Sequence, residues 1–169
     1  TSLFTLDGIP ATLANSVGFR QVTPERFKIA PIPEAAPNIM AVDVETQLQS
    51  GLALHRAGKL IEAQSIYESI LTINPDHADA LHLLGIAAAQ SNQHQRAADL
   101  IGKAISIKPD NAAFHSNRGN SLRELKQFEA AIASYDVAIR IRPDFADAYV
   151  NRGNALRDLM QFGAAVASY

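Results

Sequence analysis

Ile141-Arg142-Pro143-Asp144 decides the fold, because the chain carries this punctuation three times. The earlier copies are Ile73-Asn74-Pro75-Asp76 and Ile107-Lys108-Pro109-Asp110, and the prolines at 75, 109 and 143 stand 34 residues apart both times. A constant period in this range marks a stack of supersecondary units, each too small to bury its apolar face alone. Every copy has the same physical meaning. The isoleucine closes a helix, proline cannot continue it, and aspartate is suited to cap the helix that follows.

Working outward from the last copy, residues 112–145 make one unit. Phe114, Leu122 and Leu125 give the apolar face of a first helix, with Gly119 set among them. Lys126-Gln127 makes a short turn. Phe128, Ala131, Ile132, Tyr135, Ala138, Ile139 and Ile141 then recur at spacings of three and four on a second helix. Helices of about 12–14 residues are marginal alone, so each pair must bury its stripe against neighbours. The same register places units at 44–77, 78–111 and 112–145, with a truncated fourth at 146–169.

Small residues share the phase. Gly51, Gly85, Gly119 and Gly153 form one series, and Ala63, Ala97, Ala131 and Ala165 another. Such residues let helix axes approach closely. A third series holds Tyr67, Tyr135 and Tyr169, with Ile101 in the second unit. All three series are packing positions.

This pattern resembles the tetratricopeptide repeat. That family wants a small residue at its eighth position, alanine at the twentieth, an aromatic at the twenty-fourth, a small residue at the twenty-seventh and proline at the thirty-second. Gly119, Ala131, Tyr135, Ala138 and Pro143 meet all five. The first unit has Gly51, Ala63, Tyr67 and Pro75, with Ile70 in place of a small residue. The second has Gly85, Ala97, Ala104 and Pro109. The family's fourth-position tryptophan is absent, and Leu81, His115 and Tyr149 stand there. The resemblance covers about three quarters of the chain. It implies an all-α fold, a right-handed superhelical solenoid of antiparallel helix pairs.

Residues 1–43 differ. They hold Pro10, Pro24, Pro31, Pro33 and Pro37, five of the chain's eight prolines. Pro31-Ile32-Pro33 and Pro37 favour extended chain. Two readings are open for the apolar cluster Leu3, Phe4, Leu6, Ile9 and Leu13: a flexible leader, or a segment that docks on the first repeat or occupies its groove. The first residue is Thr1 rather than Met, and the fourth unit stops inside its second helix on an apolar edge. The start predicts a fragment, an engineered piece or a processed chain; the edge predicts that more protein follows, and self-association through the uncapped C-terminal repeat.

The bulk numbers exclude several functions. The chain has 169 residues, is 47% hydrophobic and carries formal net charge −2, too balanced for generic polyanion binding. The arginines at 118, 123, 152 and 157 form a local basic stripe, but Glu124 and Asp158 sit beside it, so no nucleic-acid track is expected. Absent cysteine removes disulfides and thiolate chemistry, and fits a cytoplasmic location. No run of about 18 apolar residues predicts a membrane span, and no secretory signal is visible. His55, His77, His82, His94 and His115 lack acidic or thiol partners at ligand spacing and read as surface histidines. Asp76, His77 and Asp79 read as helix-start chemistry. The glycines recur at packing spacing, so there is no phosphate loop. No catalytic, cofactor or metal site is expected.

The expected site is a groove. In the resembled family, first helices line a concave face that binds protein or peptide. Carried over, that face holds Leu48, Leu52, His82 and Ile86 from the first two units. The last two contribute Ser116, Asn117, Asn120, Arg123, Asn151, Asn154 and Arg157. Asparagine carries a donor and an acceptor, so a row of them can pair with the amides of an extended peptide, or tie one helix to the next. The carboxylate clamp of related arrays needs lysines and an arginine here; Ser116 stands where its first lysine would be, while Asn120 and Asn151 match two other members.

Two functions follow from the resemblance. One is an adaptor that binds peptide segments of other proteins. The other is the substrate-presenting arm of a glycosyltransferase. Asparagine rows, with Glu62-Ala63-Gln64 and the run from Asp76 to Gly85, resemble the repeats ahead of the catalytic domain in bacterial O-linked N-acetylglucosamine transferases.

Overall fold

The computed structural model describes residues 43–169. The readings made for the leader lie outside these residues. Eight helices follow one another: α1 (Val44–Arg56), α2 (Leu60–Ile73), α3 (Ala78–Gln90), α4 (His94–Ile107), α5 (Ala112–Glu124), α6 (Phe128–Ile141), α7 (Ala146–Asp158) and α8 (Phe162–Ser168). No strand occurs among the described residues. The helices pair as α1–α2, α3–α4, α5–α6 and α7–α8, and each pair stacks on the next as a right-handed solenoid.

Ile73, Ile107 and Ile141 are the last residues of α2, α4 and α6, as their place before proline predicts. The aspartates do not cap, however. Pro75 and Asp76 are the central residues of a turn closed by His77 N–H donating to the Asn74 carbonyl at 3.2 Å. The cap therefore falls one residue later. His77 Nδ1 accepts from Ala80 N, and Asn111 Oδ1 accepts from Ala113 N. Phe145, at the same register, caps through no side chain at all.

Between the helices of a pair the chain turns through one left-handed residue: Gly58, Asn92, Lys126 and Met160, all with φ between 58° and 76°. Each turn makes the same two bonds. In the third pair, Gln127 N donates to Leu122 O and Lys126 N to Arg123 O, both at 2.9 Å. This closes the orphan carbonyls of the first helix.

The glycine and aromatic series lock together. A Cβ added at Gly51, Gly85 or Gly119 would lie 2.6 Å from Tyr67 Cε1, Ile101 Cγ1 or Tyr135 Cε1 respectively, and at Gly153 2.5 Å from Tyr169 Cε1. Glycine suits these positions because a tyrosine ring, or Ile101 in the second pair, lies against the backbone of the partner helix. Tyr67 and Tyr135 are fully buried, at 0% exposure. Ala63, Ala97, Ala131 and Ala165 are buried beside them.

Contacts across the stack show which way it curves. α3 touches α5 and α5 touches α7, whereas successive second helices meet less closely. The stack is tighter along its first helices, which form the concave side.

Candidate functional site

The concave face is centred on α5, where side chains from three units meet. Asn117 Nδ2 lies 2.9 Å from His82 Nε2, one unit back. The His82 ring stacks on Phe114 with centroids 4.3 Å apart. Burial against these groups lowers the His82 pKa to about 4, and nearby Asp79 only partly offsets it. The imidazole is thus neutral near pH 7, and its Nε2 is free to accept from Asn117. His82 is a half-buried floor residue rather than a bland surface histidine.

Asn120 and Asn154 repeat a second device. Tyr135 Oη donates to Asn120 Oδ1 at 2.8 Å, and Tyr169 Oη to Asn154 Oδ1 at 2.9 Å. Burial holds the Tyr135 hydroxyl far above its ordinary pKa, with Arg123 opposing and Glu124 and Asp158 adding to it, so it remains a donor. The amide oxygens are engaged, and the Nδ2 groups are left for other acceptors. The Asn151 side chain makes no hydrogen bond among the described residues.

Two depressions flank this row. One, of about 250 Å³, lies between α3 and α5 and is mainly apolar, with Ile86, Ala89 and Ile101 in its wall. The other, of about 200 Å³, lies between α5 and α7 and is polar, with Ser116, Asp147 and Asn151. Asn117 and Asn120 border both.

The remaining groove residues divide. Leu52 is half-buried on α1, and Arg157 is exposed on α7. Leu48 instead belongs to the core, packed with Ala63, Tyr67 and Ile70, because its face of α1 turns inward between α2 and α3. Arg123 is not a free cation. Its Nε donates to Asp158 Oδ2 at 2.7 Å, and the side chains are only 28% and 24% exposed. This pair ties α5 to α7. Ser116 is buried at the base of the polar depression.

The sequence did not single out Ala89, Gln90, Asp147 or Val150 for this face. One signal was present. Ile101 breaks the tyrosine series in a unit where Ile86 stands in the asparagine register; the first unit has Leu52 there and keeps Tyr67, whose hydroxyl lies 3.5 Å from His55 Nδ1 instead.

Helix pairs at a 34-residue register, each locked by a glycine against a large side chain, define a helical-repeat scaffold for protein–protein interaction. Family models described as Tetratricopeptide repeat and TPR repeat match residues 54–120 and 119–159, and the chain belongs to the tetratricopeptide repeat family. No curated protein matches it. Among solved structures, a mutant O-GlcNAc transferase from Thermobaculum terrenum aligns at 31% identity and TM-score 0.65 over 67% of this chain. The chain spans 22% of that transferase's length. A MamA crystal structure aligns at 25% identity and TM-score 0.71, covering 75% of this chain and 74% of that one. MamA from Desulfovibrio magneticus RS-1, at 20% identity and TM-score 0.70 over 75% of this chain and 71% of its own, is similar in fold.

Among the described residues, no group of three or more His, Cys, Asp or Glu is placed to hold a metal. No described helix is long and apolar enough to cross a membrane.

Proposed function

We propose that an extended peptide segment of a partner protein lies along the concave face and is held through its backbone by Asn117 and Asn151. The observation that carries this reading is the row of amides across α5 and α7. Among the described residues the Asn151 side chain has no hydrogen-bond partner, Asn120 and Asn154 have engaged oxygens and open Nδ2 groups, and depressions flank the row. Backbone pairing gives affinity with little sequence preference. Arg157, exposed and no closer than 3.8 Å to Asp158, biases the peptide towards acidic or phosphate-bearing side chains, while Arg123 is held by Asp158 at 2.7 Å.

The test is a peptide selected from a library on this chain, titrated against Asn117→Ala plus Asn151→Ala. Each hydrogen bond contributes about 0.5–1.5 kcal/mol net, so two together weaken binding about tenfold or more. Asn117→Ala also leaves His82 without its partner, so helicity and melting temperature are measured first. Collapse of the double variant with an inert Asn151→Ala would make these residues helix ties and defeat the reading.

A second reading is favoured by the likeness to the O-GlcNAc transferase. In it, the same groove presents substrates to a glycosyltransferase domain elsewhere in a longer protein. The reading frame beyond Tyr169 separates the two. A long non-repetitive domain there supports the arm, and a polar capping helix supports the adaptor.

A further inference from the structure

We propose that the depression between α3 and α5 is an anchor pocket for one large apolar side chain of the bound peptide, which deepens the groove reading above. Units three and four fill the space over their packing glycine with a tyrosine whose hydroxyl is held by an asparagine of the first helix. In unit two both members change together. Ile101 stands for the tyrosine and Ile86 for the asparagine. The outer ring and hydroxyl are missing, and about 250 Å³ remains open to the groove, with Gln90, Asn117, Asn120 and Ser121 as its polar border.

Size and chemistry choose the occupant. The volume falls below the roughly 300–1,000 Å³ of small-molecule and cofactor sites, so it suits a single side chain. None of the lining residues is charged, and the wall of Ile86, Ala89 and Ile101 is poorly served by water. A phenylalanine or leucine side chain recovers the lost contacts. The rim supplies the rest. Asn120 keeps both Nδ2 protons because its oxygen is held by Tyr135, and it stands ready for the main-chain carbonyl beside the anchored residue. Unit two thereby supplies sequence selectivity to a face that otherwise reads backbone.

Two experiments test this on the whole chain. N-acetyl-L-phenylalaninamide, titrated into protein labelled at isoleucine methyls, should shift Ile86 and Ile101, and N-acetyl-L-alaninamide should not. The variant Ile86→Asn plus Ile101→Tyr writes unit two in the pattern of unit three. It keeps Gly85, so the ring has its seat, and it fills the pocket. A library-selected peptide should carry one large apolar residue and bind this variant at least tenfold more weakly. Alanine at that residue should cost as much on the wild type and nothing further on the variant. Equal binding to wild type and filled variant, with Asn151→Ala still weakening both, would overturn the pocket and leave the groove. Loss on filling with an inert Asn151→Ala would keep the pocket and overturn backbone pairing. Unmoved isoleucine methyls would overturn the pocket even if the double variant failed to fold.

Discussion

Gly119 and Gly85 occupy the same register but differ in what a methyl group would displace. At Gly119 three Tyr135 ring atoms lie within 2.9 Å of the added Cβ, and the ring is pinned by its bond to Asn120. At Gly85 the nearest atom belongs to Ile101, which borders an open depression and has room to move. Gly119→Ala should therefore cost more stability than Gly85→Ala, and Gly85→Leu should cost on the order of 1–3 kcal/mol by overpacking. Denaturant midpoints check the order. His82 gives a pH dependence. Its pKa in the fold is about 4, below the ordinary 6.5, so the unfolded chain binds the extra proton. The stability contributed by a neutral His82 is complete above about pH 6.5 and is lost as pH falls from there through about 4. His82→Phe should show a smaller fall in melting temperature over that window. An equal fall would mean that His82 titrates normally.

At the level of the helix pair, the connecting turn demands a left-handed residue every 34 positions. Gly58 suits this and Asn92 tolerates it, but Lys126 and Met160 adopt it with exposed side chains. A non-glycine residue there costs roughly 1–2 kcal/mol. Lys126→Gly and Met160→Gly should each stabilise by on the order of 1 kcal/mol, less the added freedom of the unfolded chain. Thermal melts check this, and a loss of stability would contradict the turn geometry. The helices themselves were legible because proline, glycine and alanine act locally and repeat. The caps were misplaced by one residue because Pro75 and Asp76 form a turn of their own before His77. The lining was harder to read. The partner of Asn117 is His82, 35 residues away, and that of Asn120 is Tyr135 on the opposing helix. Neither bond follows from spacing along one helix.

Along the stack each unit is covered by the next, and the unit at the end of residues 43–169 shows what covering does. Tyr67 and Tyr135 are fully buried, whereas Tyr169 in the same register is 60% exposed. It continues a stripe with Phe162 and Val166, at 62% and 74%. A polypeptide that ends at Tyr169 should associate through this edge, so its light scattering should show a mass that rises with concentration and falls for Phe162→Ser plus Val166→Ser. A strictly monomeric chain at high concentration would contradict it. The central claim is that the concave face takes an extended peptide. Side-chain amide resonances test it most directly, because Asn117, Asn120 and Asn151 report from that face while Gln64 and Gln95 report from second helices. On titration with a library-selected peptide, the three asparagine Nδ2 signals should move and the two glutamine signals should stay. Movement of the glutamines with still asparagines would place the peptide elsewhere and contradict the account.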